Sequence, residues 1–141
     1  MRPQTLVEVA SFAERTPSAF KNALDEFLDD FYLDISVTGR SERIRTAPDT
    51  STLDRDTGAL LAAVAEHLSY RWGLDCPSWV EESEFMGGNR PKFYPDDPVI
   101  RPILVVESPP AFRRRLIFTG AEPLARARFP GDHQVTMPFE R

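Results

Sequence analysis

Leu53-Asp54-Arg55-Asp56-Thr57-Gly58-Ala59-Leu60-Leu61-Ala62-Ala63-Val64-Ala65-Glu66-His67-Leu68-Ser69-Tyr70-Arg71-Trp72-Gly73 is the stretch that decides the fold. Leu53, Leu60, Leu61, Val64, Leu68 and Trp72 share one stripe of a helix. Ala59, Ala62, Ala63 and Ala65 add high helix propensity. Gly73 supplies a left-handed terminator, and Arg71 sits favourably at the negative end of the helix dipole. The pattern predicts a helix over 54–72 at the centre of the domain. His67 lies beside the stripe, and a lone helical histidine reads first as structural and only second as a ligand or base.

Working back toward the N-terminus, Thr16-Pro17 has the form of a helix start, Thr16 as N-cap and Pro17 at the first helical position. Phe20, Leu24, Phe27, Leu28 and Phe31 then follow helical spacing, which predicts an amphipathic helix over 17–32. Its other face carries Asp25, Glu26, Asp29 and Asp30, either plain solvated surface or a docking surface for a basic partner. Leu6 to Phe12 reads as a shorter helix. Residues 36–52 are polar, hold Gly39 and Pro48 and lack periodicity, so they read as a flexible loop or linker with a solubilising cluster of Arg40, Arg43 and Arg45.

Toward the C-terminus, Asp75 to Trp79 opens a short turn of helix with Trp79 anchored inward, and Glu81, Glu82 and Glu84 read as solvated surface. Gly87-Gly88-Asn89-Arg90-Pro91 is a loop without the Gly-Lys-Ser/Thr ending of a phosphate cradle. Ile100, Ile103, Leu104, Val105 and Val106 fit a strand or a buried helix, and their helical setting favours the helix. Ser108-Pro109 reads as another cap-plus-Pro start, and Leu116-Ile117-Phe118 as a buried segment. A last helix would hold Leu124, Ala125 and Ala127 and expose Arg126 and Arg128, with an irregular tail over 130–141.

These elements predict a mainly α fold: one domain over 1–141, of short helices around a central amphipathic helix, joined by Pro-rich connections. A hydrophobic share of 41% is too high for wholesale disorder, and 13 prolines keep the elements short. The net charge of −5 is uneven. Residues 1–100 hold 10 basic and 18 acidic side chains, whereas residues 101–141 hold 7 arginines and 4 acidic ones. That argues against nonspecific nucleic-acid binding by the whole surface and leaves a small basic patch near the C-terminus. The N-terminal residues lack a signal-peptide apolar run and no stretch would span a membrane, so the expected location is the cytoplasm. The one cysteine, Cys76, reads as a buried reduced thiol.

The chemistry-bearing motifs of common enzymes are missing: no Walker loop, dinucleotide fingerprint, nucleophile elbow or His-rich metal pattern. No catalytic residue, cofactor or metal ligand is therefore assigned, and a non-enzymatic role is expected. The best functional feature is Ser108-Pro109-Pro110-Ala111-Phe112-Arg113-Arg114-Arg115-Leu116-Ile117-Phe118, whose apolar ends would pin Arg113, Arg114 and Arg115 for recognition of carboxylate or phosphate. The alternative is that some of these arginines pair with the acidic N-terminal helix inside the fold.

Phe27-Leu28-Asp29-Asp30-Phe31-Tyr32, the helix ending Arg71-Trp72-Gly73, Cys76-Pro77-Ser78-Trp79 and the Glu107-to-Phe118 segment occur here together. In this the chain resembles small, poorly characterised bacterial proteins of toxin–antitoxin-like gene pairs, over most of residues 17–128. The resemblance implies a non-enzymatic antitoxin that binds a nucleotidyltransferase-type toxin and occludes its active site. It brings no catalytic residues with it. Partner contact is then expected at Asp25, Glu26, Asp29 and Asp30 and at Arg113, Arg114 and Arg115. Two other readings stand beside it: a transcriptional regulator whose arginines touch DNA phosphates, and a small-ligand or enzyme module around Trp72, Trp79 and Tyr94.

Overall fold

The computed structural model describes residues 2–126. Helix α1 spans Leu6–Arg15, α2 Phe20–Leu33, α3 Val37–Arg45, α4 Arg55–Trp72, α5 Arg101–Glu107 and α6 Pro110–Arg113. Two short strands, β1 (Lys92–Phe93) and β2 (Ile117–Phe118), pair in parallel. Within these residues the protein is mainly helical, as the patterning predicts.

Helix α4 starts and stops where the sequence places it. The Asp54 side chain accepts a hydrogen bond from the Thr57 backbone N–H at 3.2 Å, and Gly73 closes the helix at φ 71°. Burial extends well beyond one stripe. Ala62, Ala63, Ala65, Leu61, Val64 and Leu68 are all without exposure, so the alanines are packing surface as well as good helix formers. Helices α1 and α6 and the 3₁₀ turns Ser78–Glu81 and Ser83–Phe85 wrap around it. Leu6, Phe27, Phe31, Phe85 and Phe112 are almost fully buried in the same core. Each such side chain contributes roughly 1.5–3 kcal/mol by leaving water.

Several boundaries differ from the sequence reading. Thr16 makes no side-chain cap; Pro17–Ala19 is a 3₁₀ turn, and α2 begins only at Phe20. The better cap lies earlier, where Thr5 and Glu8 form a reciprocal capping box that starts α1. The region 36–52 is not all loop. Ser36 caps α3 through the Gly39 N–H at 3.0 Å, and the helix turns Ile44 and Arg40 inward. Periodicity misses α3 because one of its two buried residues is an arginine. The Arg40 guanidinium donates to the carbonyl oxygens of Phe31, Tyr32 and Asp34 at 2.6–3.3 Å, which helix α2 leaves without intrahelical partners. It also lies 5.0 Å from the Phe31 ring centroid and 5.2 Å from that of Trp72.

In the C-terminal half, α5 is a helix, but it is not buried: of its residues only Leu104 is inside. Ser108 ends α5 instead of starting α6. Its hydroxyl donates to the Leu104 carbonyl at 2.6 Å and accepts from the Thr119 N–H at 2.7 Å, stapling α5 to the end of β2. Leu116, at φ 60°, turns the chain out of α6 into β2. Ile117 and Phe118 are buried there, and Phe118 stacks on Phe93 at 5.1 Å. No helix forms over 121–126; Leu124 is buried in a turn, where its carbonyl accepts from the Tyr32 hydroxyl at 2.7 Å. Ala127, Arg128 and the expected tail over 130–141 lie outside the described residues. No helix among the described residues is long and apolar enough to cross a membrane.

Candidate functional site

The acidic face of α2 is largely neutralised by the protein's own cations. Asp29 accepts from Arg126 at 2.9 Å, and Asp25 faces Arg126 at 3.4 Å and Lys21 at 2.9 Å. Asp30 takes Arg2 at 3.2 Å and Gln4 at 2.8 Å, and Glu26 lies 3.9 Å from Arg2. Burial works to raise the pKa of Asp30, but the hydrogen bonds from Arg2 and Gln4 outweigh it and hold the carboxyl below its ordinary value. Arg126, expected to be exposed, is the residue that bridges this face.

Arg113, Arg114 and Arg115 do not fan out from an anchored segment. Arg113 donates to the carbonyl oxygens of Val106 and Ser108 at 2.9 and 2.7 Å, closing the C-terminus of α5. Arg115 is buried, bonded to the carbonyls of Phe85, Val80 and Ala111 and to Glu66 at 2.7–2.9 Å. Arg113 and Arg114 are both exposed, and Arg114 bridges Glu66 at 2.7 Å and Glu81 at 2.8 Å. Arg114 and Arg115 therefore pair with carboxylates of α4 and the following turn, while α2 is served by Arg2 and Arg126.

Two surfaces remain. The first is the outward side of α5. Ile103 and Val106, three apart on α5, are 53% and 75% exposed, and Val99 in the turn just before the helix is 83% exposed. A sequence window rich in apolar residues on every side gives no sign of which side faces out. Here Leu104 is the one residue of the short helix buried beneath it, and most of its apolar surface stays in water. A second exposed apolar group, Leu33, Ile35 and Val37, lies at the irregular α2–α3 turn.

The second surface is a cleft of about 400 Å³ between α4 and α6. Helix α4 supplies Glu66, His67, Ser69 and Tyr70, and α6 supplies Pro110 and Ala111; Leu74, Cys76 and Glu81 complete it. Cys76 is exposed at this cleft, contrary to the buried thiol expected. Partial burial pushes its pKa up, Glu66 adds to the rise and Ser69 opposes it, so the thiol stays protonated. Sequence spacing could not pair Cys76 with His67, because the left-handed turn at Gly73 folds the chain back beside α4. His67 is buried, packs edge-on to Phe112 at 5.7 Å and has its pKa lowered by burial, which holds the ring neutral.

Trp72, Trp79 and Tyr94 are not gathered into a pocket. Trp72 packs on Tyr32 at 6.0 Å, Trp79 packs on Phe85 and donates to the Ile44 carbonyl at 3.1 Å, and Tyr94 is exposed elsewhere. Among the described residues no group of three or more His, Cys, Asp or Glu is arranged to hold a metal ion. Comparison with protein-family models, curated proteins and solved structures finds no match to this chain.

Proposed function

We propose that this is a non-catalytic binding protein whose protein partner docks on the outward face of α5. The observation that carries the reading is the exposed pair Ile103 and Val106 on α5, extended by Val99 in the turn that leads into the helix. An apolar row of this kind fits the groove of a partner protein, with residues three and four apart as anchors. The partner class follows from the resemblance: a toxin enzyme, nucleotidyltransferase-type, neutralised by occlusion of its active site. The acidic face of α2 and the arginines at 113–115 then act by shaping the fold and its charge, with α5 as the contact.

Co-expression with the product of the adjacent gene tests this. The expected result is a stable complex and rescue of growth, with an Ile103→Glu/Val106→Glu variant weakening the complex at least ~100-fold, the loss of two buried anchors. Absence of a complex with the unmodified chain, or undiminished affinity in the double variant, overturns the proposal.

A further inference from the structure

The geometry points to the cleft between α4 and α6 as a binding site for a neutral small molecule with an apolar body and one hydrogen-bonding group that meets the imidazole of His67. The site is independent of the partner surface on α5. It lies on the other side of α6 in sequence, on α4, and its test needs no partner.

His67 is the first support. Its side chain is one of a small set of buried polar or charged groups, with Arg40, Ser69, Ser108, Arg115 and Thr119. Each of the other five is hydrogen-bonded inside the protein. His67, only 7% exposed, has no hydrogen-bond partner among the described residues, and it lines the cleft. Its ring nitrogens are not sealed from solvent, so a ligand group entering the cleft would replace water at them. Kept neutral by burial, the ring offers one donor and one acceptor nitrogen, so a hydroxyl or amide can satisfy it.

Charge balance is the second support. The two carboxylates of the cleft, Glu66 and Glu81, are already bound by Arg114, and Glu66 also by Arg115. Positive and negative charges cancel at the site, which favours a neutral ligand over an anion or a cation. Leu74, Pro110 and Ala111 give the apolar wall, and about 400 Å³ is within the usual range for a small-molecule site. The protonated thiol of Cys76 is not needed as a nucleophile; it is a built-in reporter of occupancy.

The experiment uses the full chain and five probes: phenol and cyclohexanol as neutral hydroxyl compounds, benzene without a hydrogen-bonding group, and benzoate and benzylammonium as charged ones. Two signals are followed, the NMR resonances of the His67 ring and the rate of Cys76 alkylation by iodoacetamide. Phenol or cyclohexanol is expected to shift the His67 signals saturably and, at ten times Kd, to slow alkylation roughly tenfold. His67→Leu is expected to weaken the hydroxyl probe by about tenfold while leaving benzene unaffected, the signature of one lost hydrogen bond. Should His67→Leu fail to fold, Cys76→Trp, at an exposed position, fills the cleft and removes the His67 shift. The inference is overturned if no neutral probe gives a saturable shift, if benzoate or benzylammonium binds as well as phenol, or if phenol binding persists in the variant used.

Discussion

Arg115 and Glu66 form a 2.7 Å ion pair in which the arginine side chain has no solvent exposure and the carboxylate is 22% exposed. The same guanidinium donates to the backbone of Val80, Phe85 and Ala111. One side chain thereby ties α4, α6 and the two 3₁₀ turns together. The planar fork of arginine makes this possible, since five N–H groups in fixed directions reach four acceptors at once.

Arg115→Ala leaves three carbonyls without their donor and Glu66 with Arg114 alone, and it should cost about 3–5 kcal/mol. Arg115→Lys keeps the charge but cannot reproduce the fork, so it should fall between the two. Arg114→Ala, at a side chain 36% exposed, should cost no more than ~1 kcal/mol, because surface pairs are weak and Glu66 retains Arg115. Urea denaturation of the three variants checks the ranking; equal losses for Arg114→Ala and Arg115→Ala would contradict it.

Arg40 does the same work at the other end of the core, where it covers the last carbonyls of α2 and lies between Phe31 and Trp72. Arg40→Ala should destabilise by roughly 3 kcal/mol through unpaired carbonyls and lost packing. Arg45→Ala, whose side chain is more than half exposed, should stay within about 0.5 kcal/mol. The midpoints of thermal unfolding, followed by far-UV circular dichroism, give both numbers.

The sequence signals that succeed are those tied to local backbone physics. The period of α4, its Gly73 stop and the amphipathic face of α2 depend on residues close in sequence, and they predict the mainly α fold. Arg40 and Arg115 defeat that reasoning, since patterning treats arginine as surface. Their burial depends on carbonyls contributed by α2 in one case and by residues some 30 positions away in the other. The candidate site is legible only in parts. His67 and Cys76 are visible as residue types, but their shared cleft arises from the reversal at Gly73. The exposure of Ile103 and Val106 is a tertiary fact, set by how little of the fold covers α5.

That exposure makes a prediction free of any partner. Ile103→Lys and Val106→Lys should each change stability by no more than about 0.5 kcal/mol, as for other surface changes. Leu104→Ala, the inward neighbour, should cost about 2–4 kcal/mol. Chemical denaturation of the three variants checks this; a large loss at Ile103 or Val106 would contradict their exposure to solvent.

His67 gives the fold a pH dependence of definite sign. Burial lowers its pKa below the ordinary 6.5, Glu122 and Glu66 oppose that shift and Arg71 adds to it. In the unfolded chain the ring protonates as pH drops through about 6.5, while in the folded chain it stays neutral to a lower pH. Protons then favour the unfolded state, so the stability held above 6.5 is lost as pH falls from there to the depressed folded pKa. One proton sets the upper bound on the slope there, about 1.4 kcal/mol per pH unit. Asp30 and Glu81, both held below the ordinary carboxylate range, contribute stability that is lost only at lower pH, as it falls through their own folded values. Unfolding free energies measured from pH 7.5 down to about pH 3 cover both windows. In His67→Leu the loss that begins at about pH 6.5 should vanish while the carboxylate fall at lower pH remains, and an unchanged profile would mean that His67 is not the group titrating.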